Sequence, residues 1–264
     1  MIGGLRLGAY VLAADPTWVR SSLARYYDHL DVLVVAAPED GRGWTGAPVA
    51  AQEVLEQILA LDTRGIVRVV RGSWTRPEDP LAADTDQRRD ALAAVGDDVD
   101  WVLQLDTDEV LPDVEALVRV LKVAEEEGLT AVEWPMRVLY RRTRHGYLQV
   151  CAADGTEHYE YPGPVAVRPG TRLVHCRKVD VDFLRPVVRG DASSYQVVRE
   201  PEPHEVRREL LDTDEVVVHN SWARSPASVR RKVASWGHNE GLRTASYYWV
   251  RWLPATGPAA PVRP

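Results

Sequence analysis

The chain has 264 residues, 45 % of them hydrophobic and 27 % charged, a globular balance that excludes a disordered or fibrous chain. With 32 basic against 39 acidic residues the formal net charge is −7, which argues against nucleic acid as a partner. No apolar run approaches the ~18 residues of a membrane span, and MIGGLRLGAY lacks the pattern of a signal peptide, so the reading is a cytoplasmic protein with no transmembrane segment.

Leu5–Leu12 reads as a strand. Thr17–His29 reads as a helix with Trp18, Leu23, Tyr26 and Tyr27 as its apolar positions and Asp15 or Thr17 as its cap. Val32–Ala37 is a continuous β-branched run, the pattern of a strand buried on both faces of a parallel sheet. After a Gly- and Pro-rich loop, Ala50–Leu61 has helical spacing, Ile66–Val70 is strand-like, Asp84–Val95 helical and Trp101–Leu105 a strand. Strands alternating with helices in this way predict an α/β fold with a mostly parallel central sheet and helices on both faces. Ligands of such sheets bind beyond the carboxyl ends of the strands.

Asp113–Glu127 is the next helix, between Pro112 and Gly128. The second half is more irregular. Ala131–Tyr140, Tyr147–Val150, Val165–Arg168, Arg172–His175 and Val216–His219 read as strands, and Ser225–Trp236 as a helix capped by Ser225. No composition break marks a linker, so one domain is expected over 1–264, with a ligand-binding half at 1–110, a second half at 111–253 and a frayed tail at 254–264. Cys151 and Cys176 form no metal-binding spacing and read as free thiols.

The most informative stretch is DWVLQLDTDEVLP, residues 100–112, where a buried strand runs into Asp106, Asp108 and Glu109. If the extended backbone continues, alternation sends Asp106 and Asp108 to one side. Two carboxylates at a strand end suit a hard divalent cation, Mg²⁺ or Mn²⁺, which also takes phosphate oxygens. The competing reading is a solvated turn. The hexapeptide LDTDEV recurs at 211–216, where it follows a charged stretch rather than a buried strand and reads as a turn entering a strand.

DWVLQLDTDEVLP resembles the D-x-D segment of family 2 glycosyltransferases and their relatives with the GT-A fold. Gln87-Arg88-Arg89-Asp90-Ala91-Leu92 is similar to the Q-R-N-x-A-L-like helix that often precedes it, and the likeness extends over about residues 1–140. The resemblance implies a GT-A-like (Rossmann-like) fold and a metal-dependent transfer, with inversion, of a sugar from a nucleotide-diphosphate donor to a small-molecule or glycan acceptor. The alternatives are a sugar-nucleotide-binding nucleotidyltransferase and a binding module without turnover. A nucleotidyltransferase normally shows a Gly-rich, basic loop after the first strand, where this chain has Ala13-Ala14-Asp15-Pro16.

The same resemblance places donor-contacting positions at Ala13 and Asp15, at Glu39, at Arg88 and at Asp106. The chain departs from the family pattern at Ala13-Ala14-Asp15 and at Ala37-Pro38-Glu39-Asp40. Arg88 suits a phosphate by its bidentate fork, or else pairs with Asp86 or Asp90 on the surface. His219 resembles the late histidine that gives many GT-A enzymes a further metal or diphosphate ligand; a structural histidine is the other reading. Arg230-Arg231-Lys232 through Trp236-Gly237-His238 reads either as a lid whose Lys232 holds the diphosphate or as a solvated helix face. Inversion needs a general base, and Glu160 between Tyr159 and Tyr161 is the first candidate, with Asp182 the second. Glu160, Tyr161 and Trp222 would then wall the acceptor pocket. The bland alternative buries both tyrosines in the core and leaves Glu160 in water.

Overall fold

The computed structural model describes residues 2–235 and 248–253. The first half runs β1 (Leu7–Leu12), α1 (Val19–Leu23), β2 (Leu30–Pro38), α2 (Ala51–Leu61), β3 (Val67–Gly72), α3 (Pro80–Val95), β4 (Trp101–Leu103), β5 (Glu109–Val110) and α4 (Val114–Glu126). Next come β6 (Ala131–Val132), β7 (Met136–Thr143), β8 (Gly146–Gln149), β9 (Ala166–Val167), β10 (Leu173–His175), β11 (Lys178–Val179) and β12 (Phe183–Val188). The described chain continues through α5 (Tyr195–Val198), β13 (Glu205–Leu211), β14 (Val217–His219), α6 (Pro226–Ser235) and a π-helical turn at Tyr248–Trp252. The tail from Pro254 and the Trp236–His238 part of the expected lid lie outside the described residues.

The central sheet has eight strands in the order β13-β12-β6-β9-β4-β1-β2-β3. Every adjacent pair is parallel except those made by β9. The expected α/β fold with a mostly parallel sheet is therefore present. Alternation along β1 divides the core. Leu7, Ala9 and Val11 pack with residues of α1, α2 and α4, while Tyr10 and Leu12 pack with Ala91, Leu92 and Val95 of α3. Helices thus cover both faces, and β2, apolar on both sides, is buried along most of its length.

Local chemistry sets the helix ends. Asp79 caps α3 by accepting from the Ala82 amide, with Pro80 at the first helical position, so this helix starts a turn earlier than its periodicity suggests. Asp113 caps α4 through the amides of Glu115 and Ala116, and Gly128, at φ 70°, closes the far end.

Several expectations are corrected. The helix expected over 17–29 is only α1 followed by a 3₁₀ turn at Tyr27–His29; the Tyr27 hydroxyl, anchored on Asp62 at 2.6 Å, draws the chain off the helical path. The strand expected over 131–140 is broken at Pro135, and its parts join different sheets: β6 the central one, β7 a four-stranded sheet ordered β5-β14-β7-β8. β12 and β13 were not legible as strands, because Arg185 and Pro186 interrupt one and charged residues fill the other. Arg185 is buried on Glu133 and Glu205. Pro186 lies beyond the short stretch of β12 that pairs with β6, so its missing N–H costs no ladder bond there.

Candidate functional site at the strand-end rim

The parallel strands β1, β2, β3 and β4 end on one rim. β4 stops at Leu103, so the extended backbone assumed for Asp106 and Asp108 does not continue. Instead a turn forms. The Glu109 amide donates to the Asp106 carbonyl at 3.0 Å, and the Asp106 amide donates to Glu109 Oε2 at 3.0 Å. Glu109 is fully buried and paired with buried Arg177. The chain then enters β5, which pairs antiparallel with β14 and sets Glu109 opposite His219. The Asn220 amide donates to the Asp108 carbonyl at 2.8 Å. Strand pairing, rather than sequence proximity, lays the late chain on the acidic turn.

Each acid of the turn meets its own cations. Asp106 accepts from Arg88 Nη2 at 2.9 Å, and Arg88 Nε donates to Asp84 at 2.7 Å. Asp108 Oδ2 accepts from Arg224 Nη2 and from Lys232 Nζ at 3.1 Å, with His219 Nε2 at 3.7 Å. Arg224 Nη1 grips Asp15, and Arg224 Nε donates to the Ser221 carbonyl at 3.1 Å. The Asp15 carbonyl accepts from the Thr107 hydroxyl at 3.1 Å, which ties the loop after β1 to the turn after β4. Burial alone would raise the Asp108 carboxyl, but Lys232, Arg224 and His219 hold it well below the usual carboxylate range. Burial likewise opposes ionisation of Asp106, and Arg88 and Arg177 outweigh it.

The fold brings Asp15, Asp106, Asp108, His219 and Lys232 into one cluster. Arg88 is also there but in another role: it is buried beneath Asp106 and occupied by two acids, so it positions a carboxylate rather than offering a fork to a phosphate. Ala13 faces the core, and Glu39 is exposed beyond β2, its amide donating to the Gly72 carbonyl at 3.0 Å.

On the acceptor side the packing follows the alternative reading, with both tyrosines in the core and Glu160 in water. Glu160 pairs by its backbone with Met136 and its side chain is exposed, while Tyr159 and Tyr161 are buried. Strand-like alternation here sends the aromatics inward and the acid to water. Asp182 precedes β12 and accepts the Thr130 amide ahead of β6, so it lies at the amino-end rim, opposite the cluster. Its side chain is exposed and sits 2.6 Å from His204 Nδ1. Trp222 packs with Val229, Tyr248 and Trp252.

Sequence reasoning missed Arg224, Arg177 and Asp84. The available signal was slight: Arg224 stands between a strand-end His-Asn-Ser-Trp and a Ser-Pro helix start, but 29 arginines mask any single one. The second LDTDEV copy follows β13, a charged strand at the sheet edge that is not buried, as its flanking sequence suggests. There Asp214 is exposed, and Asp212 and Glu215 pair with half-exposed Arg189 and Arg119.

The side chains do not fit the expected Mg²⁺ or Mn²⁺ centre as they stand. Both oxygens of Asp106 contact Arg88, and Oδ2 of Asp108 is taken by Arg224 and Lys232. Among the described residues no group of three or more His, Cys, Asp and Glu side chains converges as metal ligands. A cavity of about 400 Å³ lies between α3 and the segment after β3, lined by Trp74, Arg76, Asp86, Arg89 and Asp90 among others, and shares no residue with the cluster.

No protein-family model matches the chain, and no curated protein matches it. Among solved structures it is similar to a 4-diphosphocytidyl-2C-methyl-D-erythritol synthase from Anaerococcus prevotii, at 16 % identity over 63 % of this chain and 72 % of that one, with a TM-score of 0.39. It is also similar to a 2-C-methyl-D-erythritol 4-phosphate cytidylyltransferase from Francisella tularensis, at 14 % identity over 62 % of this chain and 73 % of that one, with a TM-score of 0.37. These are partial likenesses, and the fold assignment rests on the strand order and register above. No helix among the described residues is long and apolar enough to cross a membrane.

Proposed function

We propose that the protein is a transferase that takes a sugar from a nucleotide-diphosphate donor and passes it to a small-molecule or glycan acceptor. The observation that carries this reading is the convergence of Asp15, Asp108, His219, Arg224 and Lys232 at the carboxyl-end rim of a parallel sheet. That rim is where α/β sheets bind ligands. A departing nucleoside diphosphate gains negative charge, and preoriented cations lower the barrier by stabilising it. Asp15 and Asp108 hold Arg224 between two loops, and Asp108 with Ser221 holds Lys232, so these cations need no reorganisation when the charge develops. Nucleotidyl transfer is the alternative; against it stands the loop after β1, Ala13-Ala14-Asp15-Pro16, which is not Gly-rich and basic and whose acid is committed to Arg224.

The test is a thermal-shift screen of UDP-, GDP- and TDP-sugars, followed by donor-hydrolysis assays on any that bind. A donor at 100 times its Kd adds about 2.7 kcal/mol of stability. Release of nucleoside diphosphate supports the proposal. Binding without hydrolysis or transfer makes the chain a binding module. Pyrophosphate release from a nucleoside triphosphate and a sugar phosphate establishes nucleotidyl transfer instead.

A further inference from the structure

We propose that Lys232, with Arg224 fixed behind it, binds the donor's diphosphate, so that donor binding needs no divalent cation. This rests on the sugar-nucleotide reading above and specifies how the diphosphate is held. Bare Asp106 and Asp108 would repel a diphosphate, and relieving that repulsion is the task of a divalent ion at such a pair. Here the protein's own cations do it. Arg88 sits on Asp106, and Arg224 and Lys232 sit on Asp108.

The burial of these groups separates their roles. The Arg224 side chain is 2 % exposed and is engaged by Asp15, Asp108 and the Ser221 carbonyl. A metal ion taking Asp108 Oδ2 would strip this buried guanidinium of a partner that the fold supplies. Lys232 differs. Its side chain is 18 % exposed, and its ammonium reaches Asp108 and Ser221 from α6 on a flexible stem. The ammonium also lies 5.9 Å from the Trp222 ring, which limits the directions it samples. It is therefore a positioned positive charge at the open side of the cluster, with Arg224 fixed behind it. Of the two cations on Asp108, Lys232 is the one that a phosphate oxygen at the rim can reach, and Asp15 and Asp108 serve as anchors for Arg224.

The experiment is calorimetric titration of the full chain with UDP, GDP and TDP, once in EDTA and once in Mn²⁺. It is run on the wild type, Lys232→Met and Lys232→Arg. The expected result is a Kd in EDTA within about threefold of that in Mn²⁺ for the preferred nucleotide. Lys232→Met weakens it about tenfold or more, the loss of one charge-assisted hydrogen bond, and Lys232→Arg retains most of the affinity. Added Mn²⁺ does not rescue Lys232→Met. Binding seen only in Mn²⁺ overturns the inference and leaves the sugar-nucleotide reading standing. Binding unaffected by Lys232→Met in EDTA also overturns it. No binding of any of the nucleotides under either condition refutes the sugar-nucleotide reading itself.

Discussion

Arg224 and Asp108 pair side chain to side chain across 116 residues of sequence. The pairing follows from β14 lying against β5, which carries the segment after His219 onto the turn after β4. The other arm of the same guanidinium holds Asp15, after β1. One buried cation thus ties the loops after β1, β4 and β14 together, and removing a partner should be felt at the rim as a whole.

Asp108→Asn leaves Arg224 with Asp15 but takes the shared carboxylate from Lys232 and His219. Donor turnover should fall about 10²–10³-fold, the usual range for losing a preorganised electrostatic group. Stability should drop by about 1–3 kcal/mol. Asp214→Asn, at the corresponding position of the second hexapeptide, alters an exposed side chain and should leave both within experimental error. Steady-state kinetics and urea melts on both variants check the contrast.

The acid limb of stability should reflect the same cluster. The carboxyls of Asp106 and Asp108 are held below their ordinary value by Arg88, Arg224 and Lys232 against the opposing effect of burial. The unfolded chain therefore binds these protons first as pH falls. Their contribution is complete above the unfolded carboxylate value of about 3.9 and is lost as pH drops through the lower folded values. The Asp108→Asn protein should show a shallower loss of unfolding free energy below about pH 4 than the wild type. Equal slopes would mean that Asp108 titrates as it does when unfolded.

Glu109 and Arg177 form a buried pair whose loss leaves an uncompensated charge. Glu109→Gln should cost about 3–5 kcal/mol, more than Asp108→Asn, although Glu109 belongs to the same turn. A double replacement, Glu109→Leu with Arg177→Met, should recover much of that loss if the penalty comes from the stranded guanidinium. Chemical denaturation of the singles and the double closes the cycle.

Glu160→Gln and Asp182→Asn should each leave donor hydrolysis and transfer at wild-type rates and shift stability by less than about 0.5 kcal/mol. The first side chain points to water, and the second lies on the amino-end rim beside His204. A large fall in transfer for Glu160→Gln at unchanged donor affinity would restore it as the proton acceptor.

Short-range patterns were legible from the residues alone. The unbroken Val32–Ala37 run specified a strand buried on both faces, Asp113 and Gly128 bracketed α4, and the apolar Trp101–Leu103 stretch ahead of the acids marked a strand. The tertiary structure decided the charge partners. Asp106 and Asp108 read alike in sequence, yet Arg88 takes one while Arg224, Lys232 and His219 surround the other, because strand order and the β5–β14 register set which distant loops meet. It also placed Asp182 on the far rim and made β12 a strand, with Arg185 paired with Glu133, just past β6, and with Glu205 of β13. A buried charge is tolerated only where a partner arrives, and here the partners come from segments far away in the sequence.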